Sequence, residues 1–172
     1  GAYHKRAAYF GPGGPGQIYR IDTGSGDVTP FVAVNGGPDG HDTLRRNYDL
    51  DAVPYVGKSA LGDLEVDADG TTLFAVSAFD GRIHRFALPS GDPLGAFAHG
   101  AAGESWARNA RLFALAWHDG WLYHGVVDSR ESSAVTGDLL AVVYRSRADG
   151  SQTSAVARFD LDYTRPDHPW RK

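Results

Sequence analysis

The sequence predicts an all-β protein built of antiparallel four-stranded meanders. In residues 61–98, four short runs rich in β-branched and aromatic residues alternate with three turns. Each turn pairs a glycine with an aspartate, as hairpin turns commonly do: Asp69-Gly70, Asp80-Gly81 and Gly91-Asp92. The 22 Gly and 9 Pro residues also suit strands and turns better than helices. A compact four-stranded meander is the unit of a β-propeller, so we expect one complete blade over residues 61–98.

Length and composition exclude several classes of protein. A chain of 172 residues with 42% hydrophobic residues is long and apolar enough for one domain with a core. The formal net charge of -4 has the wrong sign for a nucleic-acid surface, so no nucleic-acid partner is expected. No apolar run approaches the roughly 20 residues that cross a bilayer, so no membrane span is expected. Without cysteine, the chain forms no disulfide, zinc–thiolate site or thiol nucleophile.

Residues 1–34 are expected to form part of a first blade. Segments 17–22 and 27–34 have the composition of two strands joined by a turn of small residues. Pro30 marks an edge strand or a bulge, because proline cannot donate a hydrogen bond to a sheet. The Gly- and Pro-rich residues 11–16 are expected to form a loop.

Residues 111–161 are expected to form a third blade. In the hairpin 111–128, a two-residue turn at Asp119-Gly120 would pair His118 with Trp121. Both faces of this hairpin then carry mostly apolar residues, which indicates burial on both sides between two neighbouring blades. A last hairpin ends the blade at residue 161, and residues 162–172 are expected to be a tail.

A short motif recurs in the three expected blades. It begins at Ile18, Ile83 and Val156 and carries an arginine two positions later. The spacings of 65 and 73 residues exceed an ordinary blade of about 40–50 residues. Insertions are therefore expected between the blades, at residues 35–60 and 99–110.

The expected number of blades is too small for a closed ring. Propellers close with about four to eight blades, and the sequence predicts about three. The chain contains no methionine and begins with Gly1, which favours a processed product or a fragment of a longer protein. We expect either a piece of a larger propeller or a ring that other copies or partner chains complete.

Several carboxylates and histidines are candidate metal ligands. Asp63 and Glu65 share one strand face, and Glu65 begins a run similar to a calcium loop. The twelfth position of that loop needs a bidentate glutamate, and here it is Val76. A strand with a hairpin turn is the favoured interpretation, and a weak calcium site at these two residues is the alternative. The predicted register places His118 and His124 on opposite faces, so His124 is expected in the core instead of in a metal pair.

Six residues near strand ends and in the second insertion are the candidate binding residues: His99, Glu104, Trp106, Trp121, Asp128 and Arg130. Loops on a rigid scaffold often carry binding groups, although insertions are also simply tolerated there. The two tryptophans suit sugar stacking and suit packing between blades equally well. No Gly-x-Ser-x-Gly elbow occurs, and no catalytic residue is predicted.

The hairpins of residues 61–86 carry a resemblance to a known family. An Asp-Gly turn is followed by Leu73-Phe74-Ala75-Val76, and a second Asp-Gly turn is followed by Arg82-Ile83-His84-Arg85-Phe86. This pattern resembles the blades of bacterial β-propellers of the NHL and YVTN type, and the propeller portions of large bacterial cell-surface proteins. The resemblance implies a propeller fold and an exported, cell-surface or extracellular protein. Its motifs are structural, so it implies no catalytic residue.

The leading hypothesis is a non-catalytic propeller segment of an exported bacterial surface or envelope protein. It would bind a protein or a glycan, or assemble with other copies or with the remaining blades of the same propeller, and no cofactor is predicted. One alternative is an enzyme of lactonase or sugar-dehydrogenase type, with a metal or quinone in the central channel near Asp63 and Glu65. A second alternative is an assembly subunit joined through exposed blade edges.

Overall fold

Ten antiparallel strands in three sheets make up the computed structural model, which describes residues 13–40, 51, 53–132 and 139–161. The strands are β1 Gln17–Ile21, β2 Val28–Ala33, β3 Leu61–Val66, β4 Thr72–Ser77, β5 Arg82–Ala87, β6 Pro93–Ala98, β7 Ala110–His118, β8 Trp121–Asp128, β9 Leu140–Ser146 and β10 Ser154–Asp160. No α-helix occurs among the described residues, so the predicted all-β class is confirmed. The three described sheets do not close into a ring. The predicted tail at 162–172 lies outside the described residues.

The middle sheet is the meander predicted for residues 61–98, with strand order β3-β4-β5-β6. Its strand β4 is buried on both faces, because consecutive side chains of a strand point to opposite sides. Leu73 and Ala75 pack towards the first sheet, and Phe74 and Val76 pack towards the last sheet. The middle sheet therefore lies between two cores.

The last sheet has the order β10-β9-β8-β7, and the predicted pairing of His118 with Trp121 is confirmed. The predicted burial on both faces of its first hairpin is wrong. Along β8, buried residues such as Leu122 and Val126 alternate with half-buried ones, and Phe113 of β7 is 51% exposed. The apolar pattern is the same whether or not a further layer covers it, so the sequence alone could not reveal this difference.

One surface of the last sheet faces away from the middle sheet, and we call it the open face. It is formed by half-buried or exposed side chains: Tyr123, Val127, Ala141, Val143 and Phe159. The most exposed of these side chains is Phe159, at 53%. No described residue buries this apolar surface.

The first sheet is the hairpin β1–β2, as predicted for residues 17–34. Its Ile18 packs with Leu73 and Phe86 in the core between the first and middle sheets. The two expected insertions contain only short 3₁₀ helices among their described residues: Val53–Tyr55, Gly100–Gly103 and Ala107–Asn109.

Candidate functional site

The segment 99–109 lies against the inner face of the last sheet, and Glu104 holds it there. The Glu104 carboxylate accepts a hydrogen bond from Arg158 Nη2 at 2.8 Å and from the Tyr144 hydroxyl at 3.3 Å. Burial, followed by the negative charge of Glu104, raises the pKa of Tyr144. Tyr144 therefore stays protonated and donates to Glu104 at neutral pH.

Two histidines accept hydrogen bonds from backbone N–H groups at the start of this segment. His99 Nδ1 accepts a hydrogen bond from Ala101 N at 3.2 Å and so caps the short helix. His124 of β8 is 1% exposed, and its Nε2 accepts from Gly100 N at 3.0 Å. Burial, with a smaller effect of nearby His99, lowers the pKa of His124 to about 4. His124 is thus a neutral core histidine, as predicted, and the register places it on the face opposite to His118.

The other end of the segment is tied to the turn after β8. Ser129 donates from its backbone N at 3.0 Å and from its hydroxyl at 2.8 Å to the Asn109 carbonyl. In the same turn, Asp128 is 3% exposed and accepts from Arg130 N at 3.0 Å, with Arg130 Nε at 3.1 Å from the carboxylate. The predicted pair of Asp128 and Arg130 is thus brought together, and it stabilises the turn itself.

Trp106 and Trp121 lie in different parts of the molecule. Trp106 packs against the core between the middle and last sheets. Trp121 lies on the other side of the last sheet, where the guanidinium groups of Arg145 and Arg147 stand 4.3 and 3.7 Å from its ring centroid. The six candidates therefore do not form one cluster: Trp121 is separated from the other five by the sheet.

Asp63 and Glu65, the candidate cation ligands, both accept backbone hydrogen bonds. Asp63 Oδ2 accepts from Leu115 N at 3.0 Å and Oδ1 from Leu64 N at 2.9 Å, so it links β3 to β7. Glu65 Oε1 accepts from Val66 N at 3.1 Å. Within the described ranges, no group of three or more His, Asp or Glu side chains is placed to hold a metal ion. The donor set at Asp63 fits a link between two sheets better than a calcium site.

Sequence reasoning missed one ionic network, in which Glu131 binds both Lys58 and Arg111. Hydrogen bonds from these two cations, Lys58 first, lower the pKa of Glu131. The network joins the first insertion to β7 and to the loop after β8. No local pattern could have revealed it, because the three residues are far apart in the sequence.

No protein-family model matches the sequence, and no curated protein shows significant similarity to it. The described helices are all too short to cross a membrane. The resemblance to NHL and YVTN blades therefore stays a prediction carried by the hairpin residues.

Proposed function

We propose that this chain is a non-catalytic segment of a β-propeller in an exported bacterial surface or envelope protein, and that it works in binding or assembly. The observation that carries the proposal is the open face, an apolar sheet surface at the end of an ordered stack of sheets. Its partner would be a protein or a glycan, another copy of the chain, or the remaining blades of the same propeller.

The arrangement of the sheets supports a propeller segment. Both four-stranded sheets are meanders in chain order, and each packs on the sheet that follows or precedes it in the sequence. Their first strands, β3 and β7, lie side by side and are joined by the Asp63–Leu115 hydrogen bond. In a propeller the first strands of successive blades line a common channel, so this geometry is the one expected for neighbouring blades.

The open face supports a binding or assembly role. Apolar side chains at the surface of a soluble protein are normally scattered, and a contiguous patch marks a contact with another molecule. Here Val127, Ala141, Val143 and Phe159 lie on neighbouring strands of one sheet face.

The polar candidates support a structural role for the loops. Glu104 binds Arg158 and Tyr144, and Asp128 binds Arg130. These partners tie loops to strands, which is what a rigid scaffold for a binding surface needs.

Metal analysis and ligand binding together test the proposal. We expect elemental analysis of the purified chain to find no stoichiometric divalent metal. We expect the chain to bind at least one component of a protein or glycan array, and Val143→Lys on the open face to reduce this binding at least tenfold. Leu94→Lys, a change at an exposed apolar residue of β6, is the matched control and should bind as the wild type does.

One tightly bound metal per chain, lost in Asp63→Asn, would instead favour an enzyme with a metal at the channel. If Val143→Lys binds as strongly as the wild type, the open face is not the binding surface.

A further inference from the structure

The same contact between neighbouring sheets occurs twice. The turn between β5 and β6 lies on the first sheet, where a Cβ added at Gly91 would stand 2.9 Å from Val32 Cγ1 and 3.3 Å from Phe31 Cε2. The turn between β9 and β10 lies on the middle sheet, where a Cβ at Gly150 would stand 2.4 Å from Phe97 Cγ. In both cases the outermost strand of one sheet offers a phenylalanine, and the last turn of the next sheet places a glycine on its ring.

The two halves of a similar contact lie at opposite ends of the stack, and no described residue completes either of them. Phe159 lies on β10, the outermost strand of the last sheet, and pairs with Ala141 on the open face. At the other end, Gly26 occupies the turn between β1 and β2, and a Cβ added there would meet no described atom within 4 Å. Among the described residues, the stack thus ends in an exposed ring on one side and an uncovered glycine turn on the other.

The uncovered turn has the same construction as the turn that packs on the first sheet. The Ser25 hydroxyl donates to Asp27 Oδ2 at 2.8 Å. In the turn that contains Gly91, the Ser90 hydroxyl donates to Asp92 Oδ2 at 2.7 Å. The backbone angle φ is +79° at Gly26 and +82° at Gly91, so the two turns present their glycines in the same conformation.

The strand before the uncovered turn also exposes an apolar residue at the equivalent place. Phe86 lies as many residues before Gly91 as Ile21 lies before Gly26. Phe86 is only 7% exposed, because the first sheet covers it. Ile21 is 62% exposed, and strand alternation from buried Ile18 places it on the side away from the middle sheet. The back of the first sheet therefore has the apolar contact residue, and no described part of the chain forms a layer against it.

Charge at the two ends is complementary. The uncovered turn carries Asp22 and Asp27. On the side of the open face, Arg145 and Arg147 stand over Trp121, and no described carboxylate forms an ion pair with either arginine. An acidic turn that approaches this side of the sheet would meet two guanidinium groups.

We propose that a second copy of this chain docks head to tail, with the turn at Gly26 and the side chain of Ile21 seated on the open face around Phe159. This inference rests on the proposed assembly role and names its partner. The two surfaces differ, so the interface is heterologous and produces closed rings or open filaments.

The solution mass of the full chain, followed by light scattering over a range of concentration, tests this interface. The wild type should associate as its concentration rises. Phe159→Lys and Ile21→Lys place a charge on either side of the interface and should each leave the protein monomeric. Leu94→Lys, at a residue 44% exposed and on neither end surface, is the matched control and should associate as the wild type does.

Mixing the two lysine variants gives the decisive result. Each variant keeps the surface that the other has lost, so an equimolar mixture should restore a dimer. Phe159→Ala and Ile21→Ala repeat the test if circular dichroism shows that a lysine variant is unfolded.

Three outcomes would overturn the inference: a wild type that is monomeric at every concentration, variants that associate as well as the wild type, or a mixture that stays monomeric. A monomeric wild type that still binds a protein or glycan through the open face would leave the proposed function standing. If the chain associates and also binds a stoichiometric metal, the proposed non-catalytic function is wrong and the proposed interface still stands.

Discussion

At the scale of single residues, His124 makes the stability of the fold depend on pH. The ring is buried, stacks on Tyr144 with centroids 5.7 Å apart, and uses Nε2 as an acceptor for the Gly100 N–H. Protonation of Nε2 would turn this acceptor into a donor, which would then face the N–H donor of Gly100. His99, Glu104, Arg158 and Tyr144 are the other titratable or charged groups around this contact.

We therefore expect the free energy of unfolding to fall as pH falls from 6.5 to about 4. The unfolded histidine takes up its proton near 6.5, while the folded one stays neutral down to about 4, so the unfolded state binds more protons in this window. The full effect is about 3 kcal/mol, from the difference between the two pKa values. Urea unfolding at several pH values measures it.

The variant His124→Phe keeps an aromatic ring and removes the acceptor. It should lose about 1–3 kcal/mol at neutral pH, because the Gly100 N–H is left unsatisfied, and it should show a weaker pH dependence below 6.5. His118→Phe changes an exposed histidine and should keep the wild-type pH dependence. An equal acid loss in wild type and His124→Phe would show that other groups cause it.

At the scale of strands and turns, Asp63 connects two sheets at places where both strands are irregular. The register of β3 shifts between Leu61 and Leu64, and that of β7 shifts between Leu112 and Ala114. Because β7 is the edge strand of the last sheet, N–H groups on its outer side have no partner within that sheet, and Asp63 accepts from one of them, Leu115 N. The acidic residue that resembled a calcium ligand in the sequence therefore has a structural partner.

Asp63→Ala should destabilise the protein by about 1–3 kcal/mol in urea unfolding, because the Leu115 N–H loses its acceptor in a partly buried place. Glu65→Ala is the matched control, since Glu65 accepts only from the adjacent Val66 N–H, and it should cost about 0.5 kcal/mol or less. Equal losses would contradict the link. If added calcium stabilised the wild type but neither variant, Asp63 and Glu65 would instead be ligands of a calcium site.

The sequence predicted the hairpins well because their signals are local. The turns at Gly70, Gly81 and Gly91 were set by a few adjacent residues, and the four strands of the middle sheet begin and end close to where those residues placed them. Contacts that depend on a register across a long connection were not predictable. Arg145 reaches Trp121 only because β9 pairs with β8 across the loop that follows Asp128.

At the scale of the whole molecule, glycine turns fix how the sheets stack. Gly150→Ala should therefore destabilise the monomer more than Gly26→Ala does. Both residues have φ near +80°, at 84° and 79°, so both substitutions cost the same backbone strain. Only Gly150 would also push its Cβ into the Phe97 ring, which adds about 1–3 kcal/mol.

Thermal or urea unfolding at low protein concentration compares the two variants without association. If both lose the same free energy, the contact between the turn and the ring does not hold the last sheet in place. A larger loss for Gly26→Ala would mean that the first sheet depends on its turn more than the stack does.

The candidate site was only partly predictable because the packing of the whole molecule decides which side of a sheet is buried. His99, Glu104 and Trp106 are close in the sequence, and all three lie in the segment 99–109 that packs on the last sheet. Trp121 is only three residues from His124 but points to the other side of the sheet. Which side of a sheet becomes the core depends on which layers surround it, and that depends on the entire stack.

The burial of β4 on both faces has a consequence for how the molecule opens. Phe74, Ala75 and Val76 are all 0% exposed, with layers on either side. Detachment of the first or the last sheet uncovers only one face of β4, and the other face keeps its core. We therefore expect local unfolding to proceed inward from the two ends, and the amide protons of β4 to be the last to exchange in a hydrogen-exchange measurement.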